Sequence, residues 1–285
     1  MELLETVSYY PDAAHVLEQL GVSAAPAIPA LRAKLTNERT IQAAAHALAK
    51  IEQDHRATIA ILAQNLDQPD LRGASCTCLA YFAEATPDAV EPLLLKVARS
   101  EEFYDRGLAI SALGSLKTKA AVQQLVIVLE DKNKTLASRA ARALGELRIE
   151  ADLAVPALMK FLEDQDQQLS FAAARALGAF GPAAQPAIPA LLKLLDQEQF
   201  RVMAARALGD IGAPAEGTIP RLIKMLDDDQ TRRAAVEGLR NFGPLAKEAL
   251  PRLKSLEENS NGYELRQIQL AIRAIEKTEE TNPRP

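Results

Sequence analysis

The sequence contains no tryptophan, and aromatic residues make up only 4% of its 285 residues. Hydrophobic residues are 48% of the chain and are therefore mostly Ala, Leu, Ile and Val. These side chains suit closely packed helices better than the cores of β-sandwiches and barrels. The composition thus favours an all-α protein.

Cysteine is almost absent, with only Cys76 and Cys78 present. Two residues apart on a helix, side chains point about 200° away from each other, so this pair cannot form a disulfide or hold a metal ion together. We expect both to be buried as small hydrophobic side chains. A disulfide framework would indicate an oxidising compartment, and this chain has none.

An excess of basic charge is also missing, since 33 Lys and Arg residues face 38 Asp and Glu residues and the formal net charge is −5. This balance argues against a nucleic-acid or anionic-membrane binder. No run approaches the ~18 apolar residues of a membrane span. Residues 1–5 are acidic where a signal peptide is basic. We predict a cytoplasmic protein that binds neither nucleic acid nor membranes.

Two residue types recur along the chain at a regular interval. The leucines, with one isoleucine at the end, are spaced by 31–34 residues and are called the column leucines below: Leu17, Leu48, Leu79, Leu113, Leu144, Leu177, Leu208, Leu239 and Ile272. A proline precedes many of them: Pro29, Pro92, Pro156, Pro189, Pro220 and Pro251. A period of this length predicts a solenoid of helix pairs.

Each repeat carries its own start and stop signals. The proline is expected in the first turn of the first helix, where its missing N–H costs nothing. A polar break rich in Asp, Asn and Gln follows, and residues 227–229 fall in this position, so we expect a solvated loop there and not a cation site. Gly-Pro or Gly-Ala-Pro ends the second helix, as at residues 181–182 and 212–214.

We predict one continuous solenoid over residues 1–276. Residues 1–24 form an incomplete N-terminal repeat, with Leu3, Leu4 and Val7 in a shortened first helix. Residues 25–244 form the central repeats, residues 245–276 a more polar capping repeat, and residues 277–285 a frayed tail.

The repeat resembles the HEAT family, in particular the short bacterial phycobilisome-lyase-like HEAT repeats. The resemblance rests on Pro-x-Leu-x-x-x-Leu, a polar loop, a hydrophobic residue with Arg, and Ala-Ala-x-Ala-Leu-Gly-x-Ile-Gly, seen at residues 189–212. It implies a right-handed α-solenoid of antiparallel helix pairs. In the family the arginine often joins a ladder of charge pairs. Arg72, Arg201 and Arg232 fill its position, but Ala137 and Ser170 replace it, so we expect an interrupted ladder.

The residue two before each column leucine points about 160° away from it at 100° per residue. This set, called the exposed column below, is expected on the exposed, concave face of the second helices: His15, His46, Thr77, Ser111, Arg142, Arg175, Arg206, Glu237 and Leu270. The residues three after the column leucines, including Phe82, Phe180 and Phe242, should face the core.

Three arginines follow one another in the exposed column, and we predict a binding stripe there. The candidate binding residues, all on this face, are Arg139, Arg142, Phe171, Arg175, Met203 and Arg206. Guanidinium groups beside an aromatic ring and a methionine suit an acidic or extended protein segment. The competing interpretation is that Arg142–Glu146 and Arg206–Asp210 are ordinary i,i+4 surface pairs, which Arg175 lacks.

Enzyme signatures are missing. His15 and His46 are neighbours in the exposed column, but no clear carboxylate pair accompanies them, so we predict no metal site and no cofactor. The HEAT-like deoxyhypusine hydroxylase uses His-Glu dipeptides and the HEAT-like DNA glycosylases use tryptophans, and this sequence has neither.

We therefore predict a non-enzymatic scaffold or adaptor that holds a partner protein on the concave face. The alternative implied by the resemblance is a phycobilin lyase-like factor that handles a bilin or a phycobiliprotein, with arginines pairing the two propionates of the bilin. A third hypothesis is an interaction module of a larger signalling or assembly protein.

Overall fold

The computed structural model describes residues 10–100 and 103–277. That part of the chain is made of α-helices and short 3₁₀ segments and contains no strand. The chain divides into two compact units, Met1–Ile149 (unit 1) and Glu150–Pro285 (unit 2). The prediction for residues 1–7 and most of the predicted tail lie outside the described residues.

The helices of unit 1 are α1 (Tyr10–Leu20), α2 (Ile28–Ala33), α3 (Ile41–Ile51), α4 (Arg56–Asn65), α5 (Pro69–Leu79), α6 (Pro87–Ala98), α7 (Phe103–Leu113), α8 (Lys119–Leu129) and α9 (Lys134–Leu147). Those of unit 2 are α10 (Ala151–Met159), α11 (Gln167–Phe180), α12 (Ile188–Leu194), α13 (Glu198–Ile211), α14 (Ala215–Met225), α15 (Asp229–Phe242), α16 (Leu250–Asn259) and α17 (Gly262–Glu276).

Each unit is a stack of helix pairs. From α2 onward every even-numbered first helix packs against the odd-numbered second helix that follows it. The second helices also pack side by side, from α1 to α9 in unit 1 and from α11 to α17 in unit 2. This arrangement confirms the predicted all-α repeat architecture.

The core of each stack is built on the column leucines. Eight of the nine are buried, and Leu17 in α1 is only partly buried. Phe82, Phe180 and Phe242 are buried, as predicted for the position three residues later. Cys76 and Cys78 are buried free thiols.

The column prolines confirm the predicted start signal in only three repeats. Pro29, Pro189 and Pro251 lie in the first turn of α2, α12 and α16, each after a 3₁₀ segment. The prediction was wrong for α6, α10 and α14, which contain Pro92, Pro156 and Pro220 inside the helix. In these repeats the turn before the proline is already α-helical, so the helix begins five residues before the proline.

The polar breaks cap three of the second helices, α9, α11 and α15, whereas Gln68 and Gln197 before α5 and α13 form no side-chain cap. The side chain of Asn133 accepts hydrogen bonds from the backbone N–H groups of Thr135 and Leu136 at the start of α9. Asp166 and Asp228 cap α11 and α15 in the same way. Since these oxygens satisfy helix N–H groups, these three breaks are capping turns.

Glycine ends only some of the second helices, since Glu52 and Ala80 follow α3 and α5. Gly181, Gly212 and Gly243 end α11, α13 and α15 with positive φ angles, which suits a residue without a Cβ. Arg148 fills the equivalent position after α9 with φ 52°. A left-handed conformation costs an L-residue roughly 1–2 kcal/mol, so the last turn of unit 1 carries local strain.

Arginines seven residues before the column leucines form the expected ladder. Nε of Arg201 donates to the carbonyl oxygen of Leu195 (2.9 Å), and its guanidinium lies 3.8 Å from the carboxylate of Asp228. The same two contacts recur at Arg72 (Leu66, Asp105), Arg106 (Ala98, Asp131) and Arg232 (Leu226, Glu264). The ladder is interrupted at Ala137 and Ser170, as the sequence predicted.

Candidate functional site

The exposed column lies on the accessible face of the second helices. None of its nine residues is buried. Each of its three arginines lies between two buried alanines in the sequence. The helical geometry that buries the column leucine at one angle places these residues almost opposite it. The predicted exposure is therefore confirmed, and the contacts of each residue decide what it can bind.

In unit 1, Arg139 and Arg142 of α9 border a surface cleft of about 150 Å³. Ser111 of α7 and Ala143 and Glu146 of α9 complete its lining. Arg139 is half-buried and Arg142 is exposed. Neither arginine forms an ion pair with any residue that the structure describes.

In unit 2, Phe171 and Arg175 lie one turn apart on α11. Phe171 is 39% exposed, whereas the other phenylalanines whose burial the structure describes are buried, and Arg175 is exposed. Arg175 forms no ion pair in the described part of the chain. An accessible ring next to an unpaired guanidinium offers both apolar and charge-assisted contacts.

Arg206 is partly neutralised by the next repeat. Its Nε lies 2.6 Å from Oε2 of Glu237, and both side chains are half-buried. Asp210 instead accepts a hydrogen bond from Asn241, and burial raises the pKa of its carboxyl with a further contribution from the charge of Glu237. The i,i+4 pair Arg206–Asp210 of the competing interpretation is therefore replaced by the pair Arg206–Glu237 between α13 and α15.

The i,i+4 ion pair between Arg142 and Glu146, also part of the competing interpretation, does not form either. Arg142 and Glu146 line the same cleft, but no ion pair joins them in the described residues. Glu146 leans towards the C-terminal end of α7, where a Cβ added to the following residue, Gly114, would come 3.0 Å from its Oε2. Arg142 thus keeps its guanidinium available.

The prediction that Met203 lies on the exposed face was wrong. Met203 is 2% exposed and belongs to the core between α13 and its neighbours. It lies five residues before its column leucine, the same position as Arg139, whose side chain lies against Gly107 of the preceding second helix. This flank is covered by the neighbouring repeat, so an apolar side chain there is buried although the helix alone would expose it.

His15 and His46 meet around a carboxylate that the sequence analysis did not identify. Nδ1 of His15 lies 3.4 Å and Nδ1 of His46 lies 3.3 Å from Oε2 of Glu18. The ring of His46 also contacts that of Tyr81, with centroids 5.0 Å apart. Glu18 lies three residues after His15, a helical spacing that could have revealed it.

A second polar cluster is buried at the turn between α3 and α4. Oε1 of Glu52 accepts hydrogen bonds from Nε of Arg32 and from the hydroxyl of Thr58, each at 2.7 Å. His55 is buried 3.8 Å from the other carboxylate oxygen, and its ring edge meets Phe82. These contacts join α2, α3 and α4, and the sequence analysis did not anticipate them.

Over the residues described, no group of three or more His, Cys, Asp or Glu side chains is arranged to hold a metal ion. No helix in that part of the chain is long and apolar enough to span a membrane.

Comparison with known proteins identifies the repeat. A family model of HEAT repeats matches residues 59–145, 123–202 and 188–273. These matches together cover well over half of the chain. A search of curated protein sequences gave no match.

Three solved structures are similar in fold. Kap95p bound to RanGDP has a TM-score of 0.59 and 13% identity, over 96% of this chain and 44% of that one. YibA of E. coli has a TM-score of 0.58 and 16% identity, over 94% and 96%. The complex of CpcE and CpcF of phycocyanin lyase from Nostoc sp. has a TM-score of 0.49 and 24% identity, over 79% and 97%. At these sequence identities, the similarity shows only that the folds are alike.

Proposed function

This chain belongs to the HEAT-repeat family, and we propose that it is a non-enzymatic scaffold holding an acidic, extended segment of a partner protein. The fold is compatible with such a role, because the similar Kap95p binds a protein, RanGDP. A stack of second helices presents its side chains already ordered, so little conformational entropy is lost on the scaffold side.

The observation that carries the proposal is that the exposed second helices of each unit carry an arginine without a carboxylate partner in the part of the chain that the structure describes. Arg142 and Arg175 are exposed, and neither has a carboxylate partner in the described residues, whereas the ladder arginines all do. Arginine is the side chain best suited to bind carboxylates through two parallel hydrogen bonds. Arg142 and Arg175 are therefore the proposed primary contacts.

The remaining predicted residues take lesser roles. Phe171 supplies an apolar contact beside Arg175, and Arg139 lies deeper in the cleft of unit 1. Arg206 shares its charge with Glu237 and contributes less to an acidic partner. Met203 supports the surface from below and does not touch the partner.

The proposal is tested by capture from a native cell extract with the wild type and the Arg142→Glu/Arg175→Glu variant. The captured proteins are identified by mass spectrometry, and the affinity of a purified partner is then measured by calorimetry. We expect the variant to bind that partner at least about tenfold more weakly, because two attractive charges become repulsive.

The matched control is Lys193→Glu/Lys224→Glu. These exposed lysines lie on the first helices α12 and α14, and the variant has the same change in net charge. We expect it to bind like the wild type. Equal binding by the wild type and both variants would reject the exposed face as the binding surface.

The bilin-handling alternative stays a prediction, and the same capture tests it through visible absorbance. A coloured chromophore or a phycobiliprotein retained by the wild type and lost in the arginine variant would favour it. Burial of Met203 removes one of the two side chains expected to cover the bilin ring system.

A further inference from the structure

The cleft between α7 and α9 in unit 1 is a more specific feature than the exposed face around it. Its volume of about 150 Å³ is several times the share of one water molecule in the liquid, about 30 Å³. The small side chain of Ala143 leaves its floor open between the polar groups. A compact polar group with a short stem fits such a space.

Arg139 is held in place from the side of α7. An added Cβ at Gly107 would come 3.4 Å from Nε and 3.6 Å from Cζ of Arg139, so the guanidinium lies across the glycine. Nη1 of Arg139 is 3.5 Å from the hydroxyl oxygen of Ser111. That hydroxyl donates its own proton to the carbonyl oxygen of Gly107 (3.0 Å) and therefore faces Arg139 as an acceptor.

The charges that line the cleft leave one positive charge without a counter-charge. Arg139 and Arg142 contribute two, and Glu146 contributes one of opposite sign. Glu146 forms no ion pair with either arginine in the described residues, and its carboxylate lies against Gly114, the residue that follows α7. A single carboxylate would complete the balance, whereas a phosphate dianion would leave an excess negative charge beside Glu146.

We infer that this cleft takes one carboxylate of the partner between Arg139 and Arg142, and that Glu146 makes it select carboxylates over phosphate dianions. This inference rests on the proposed binding function and names its specificity. Arg139 binds through an ordered guanidinium, Arg142 closes the site from the solvent side, and Glu146 sets the preferred charge.

The test uses NMR of arginine Nε–Hε groups at constant ionic strength. The probes are N-acetylglutamate methylamide for a side-chain carboxylate, N-acetylalanine for a chain terminus, and N-acetylphosphoserine methylamide for a phosphate dianion. In the wild type we expect the Arg139 and Arg142 signals to shift with either carboxylate probe, and the phosphoserine probe to bind more weakly. The carboxylate probe with the lower Kd shows whether the cleft prefers a side-chain carboxylate or a chain terminus.

The variant Glu146→Gln provides the specificity readout. Removing the charge of Glu146 should increase the affinity for the phosphoserine probe about tenfold and the affinity for the glutamate probe only about threefold. The difference arises because the repulsion scales with the charge of the ligand. Arg139→Gln should abolish binding of the carboxylate probes, and Arg266→Gln, at an exposed arginine of α17, should change nothing. Thermal unfolding of each variant verifies its fold.

The outcomes separate this inference from the proposed function. Shifts at Arg175 but none at Arg139 would leave the scaffold surface standing and overturn the carboxylate cleft. Tighter binding of phosphoserine by the wild type, or equal gains for both probes in Glu146→Gln, would overturn the role of Glu146. The absence of a shift at Arg139, Arg142 and Arg175 would reject both proposals.

Discussion

At the scale of single residues, Cys76 and Cys78 show how burial alters chemistry. Both thiols lie on α5, and burial is the main cause that raises the pKa of each from 9.0 to about 12. A buried thiolate has lost its hydration, so the neutral thiol is favoured. These cysteines therefore behave as inert core residues at neutral pH.

We predict that neither thiol reacts with Ellman's reagent in the native protein at pH 8, while both react in urea. The raised pKa also makes stability depend on pH. The unfolded chain loses its thiol protons near pH 9 and the folded chain near pH 12, so the contribution of the thiols is complete below about pH 9 and is lost between about pH 9 and 12.

The control is the Cys76→Ala/Cys78→Ala variant, which lacks this titration. Urea unfolding is measured for both proteins from pH 7 to 10.5. The free energy of unfolding of the wild type should fall more steeply above pH 9 than that of the variant. Parallel curves, or rapid labelling of the native protein, would show that the thiols are accessible.

Residue-level prediction succeeded where one helix decides exposure and failed where two helices meet. The 100° rotation per residue correctly placed Arg142 and Arg175 on the surface and Phe180 in the core. It misplaced Met203, because the neighbouring helix α11 covers a flank that an isolated α13 would expose. The helix spacing alone offered Asp210 as a possible partner of Arg206, whereas Arg206 pairs with Glu237 of α15.

At the scale of elements, α13 and α15 approach each other closely at two glycines. A Cβ added to Gly209 of α13 would come 2.9 Å from Cα and 3.1 Å from the carbonyl oxygen of Gly238 in α15. Those atoms belong to the backbone and cannot move aside as a flexible side chain can. The Leu-Gly pair of the repeat thus places a core leucine next to a contact that only glycine permits.

We predict that Gly209→Ala lowers the free energy of unfolding by about 1–3 kcal/mol, because α13 and α15 must separate to admit the methyl group. Urea denaturation followed by circular dichroism measures the change. Gly217→Ala in α14 is the matched control, since a Cβ there meets nothing within 4 Å. Because alanine has a higher helix propensity than glycine, by up to about 1 kcal/mol, the control variant should be as stable as the wild type or more stable. A stabilised Gly209→Ala variant would contradict the close packing.

The start and stop signals of the helices were predicted with uneven success. Glycine at the end of α11, α13 and α15, and Asp or Asn at the start of α9, α11 and α15, act locally, through one backbone conformation or one hydrogen bond, and could be predicted from the sequence. The start of the first helix could not, because Pro92 is compatible with either a 3₁₀ or an α-helical turn before it. Which of the two forms depends on packing against the preceding repeat.

At the scale of the whole molecule, each unit contains its own stack of second helices and its own buried column leucines. Leu48, Leu79, Leu113 and Leu144 are fully buried in unit 1, and Leu177, Leu208 and Leu239 in unit 2. Stability in repeat arrays comes mainly from contacts between neighbouring repeats. Each unit therefore contains the interactions needed for its own folding.

We predict that residues 1–149 and 150–285, produced as separate fragments, each fold into an α-helical protein with a cooperative urea transition. Circular dichroism and size-exclusion chromatography measure helix content and compactness. Leu48→Ala and Leu208→Ala should each destabilise only the fragment that contains it, by about 2–5 kcal/mol. A fragment without a cooperative transition would contradict this division.

The sequence by itself determined the repeat architecture, the buried column and the surface on which the free arginines lie. Each of these follows from a periodic pattern that one helix expresses through its own geometry. Only the tertiary structure showed which arginines lack an ion-pair partner among the described residues and that Met203 belongs to the core. It also showed that Arg139, Ser111 and Glu146 line one cleft. Those facts depend on the distance between side chains of adjacent helices, and residues some 30 positions apart in the chain are brought together by packing that a single helix does not encode.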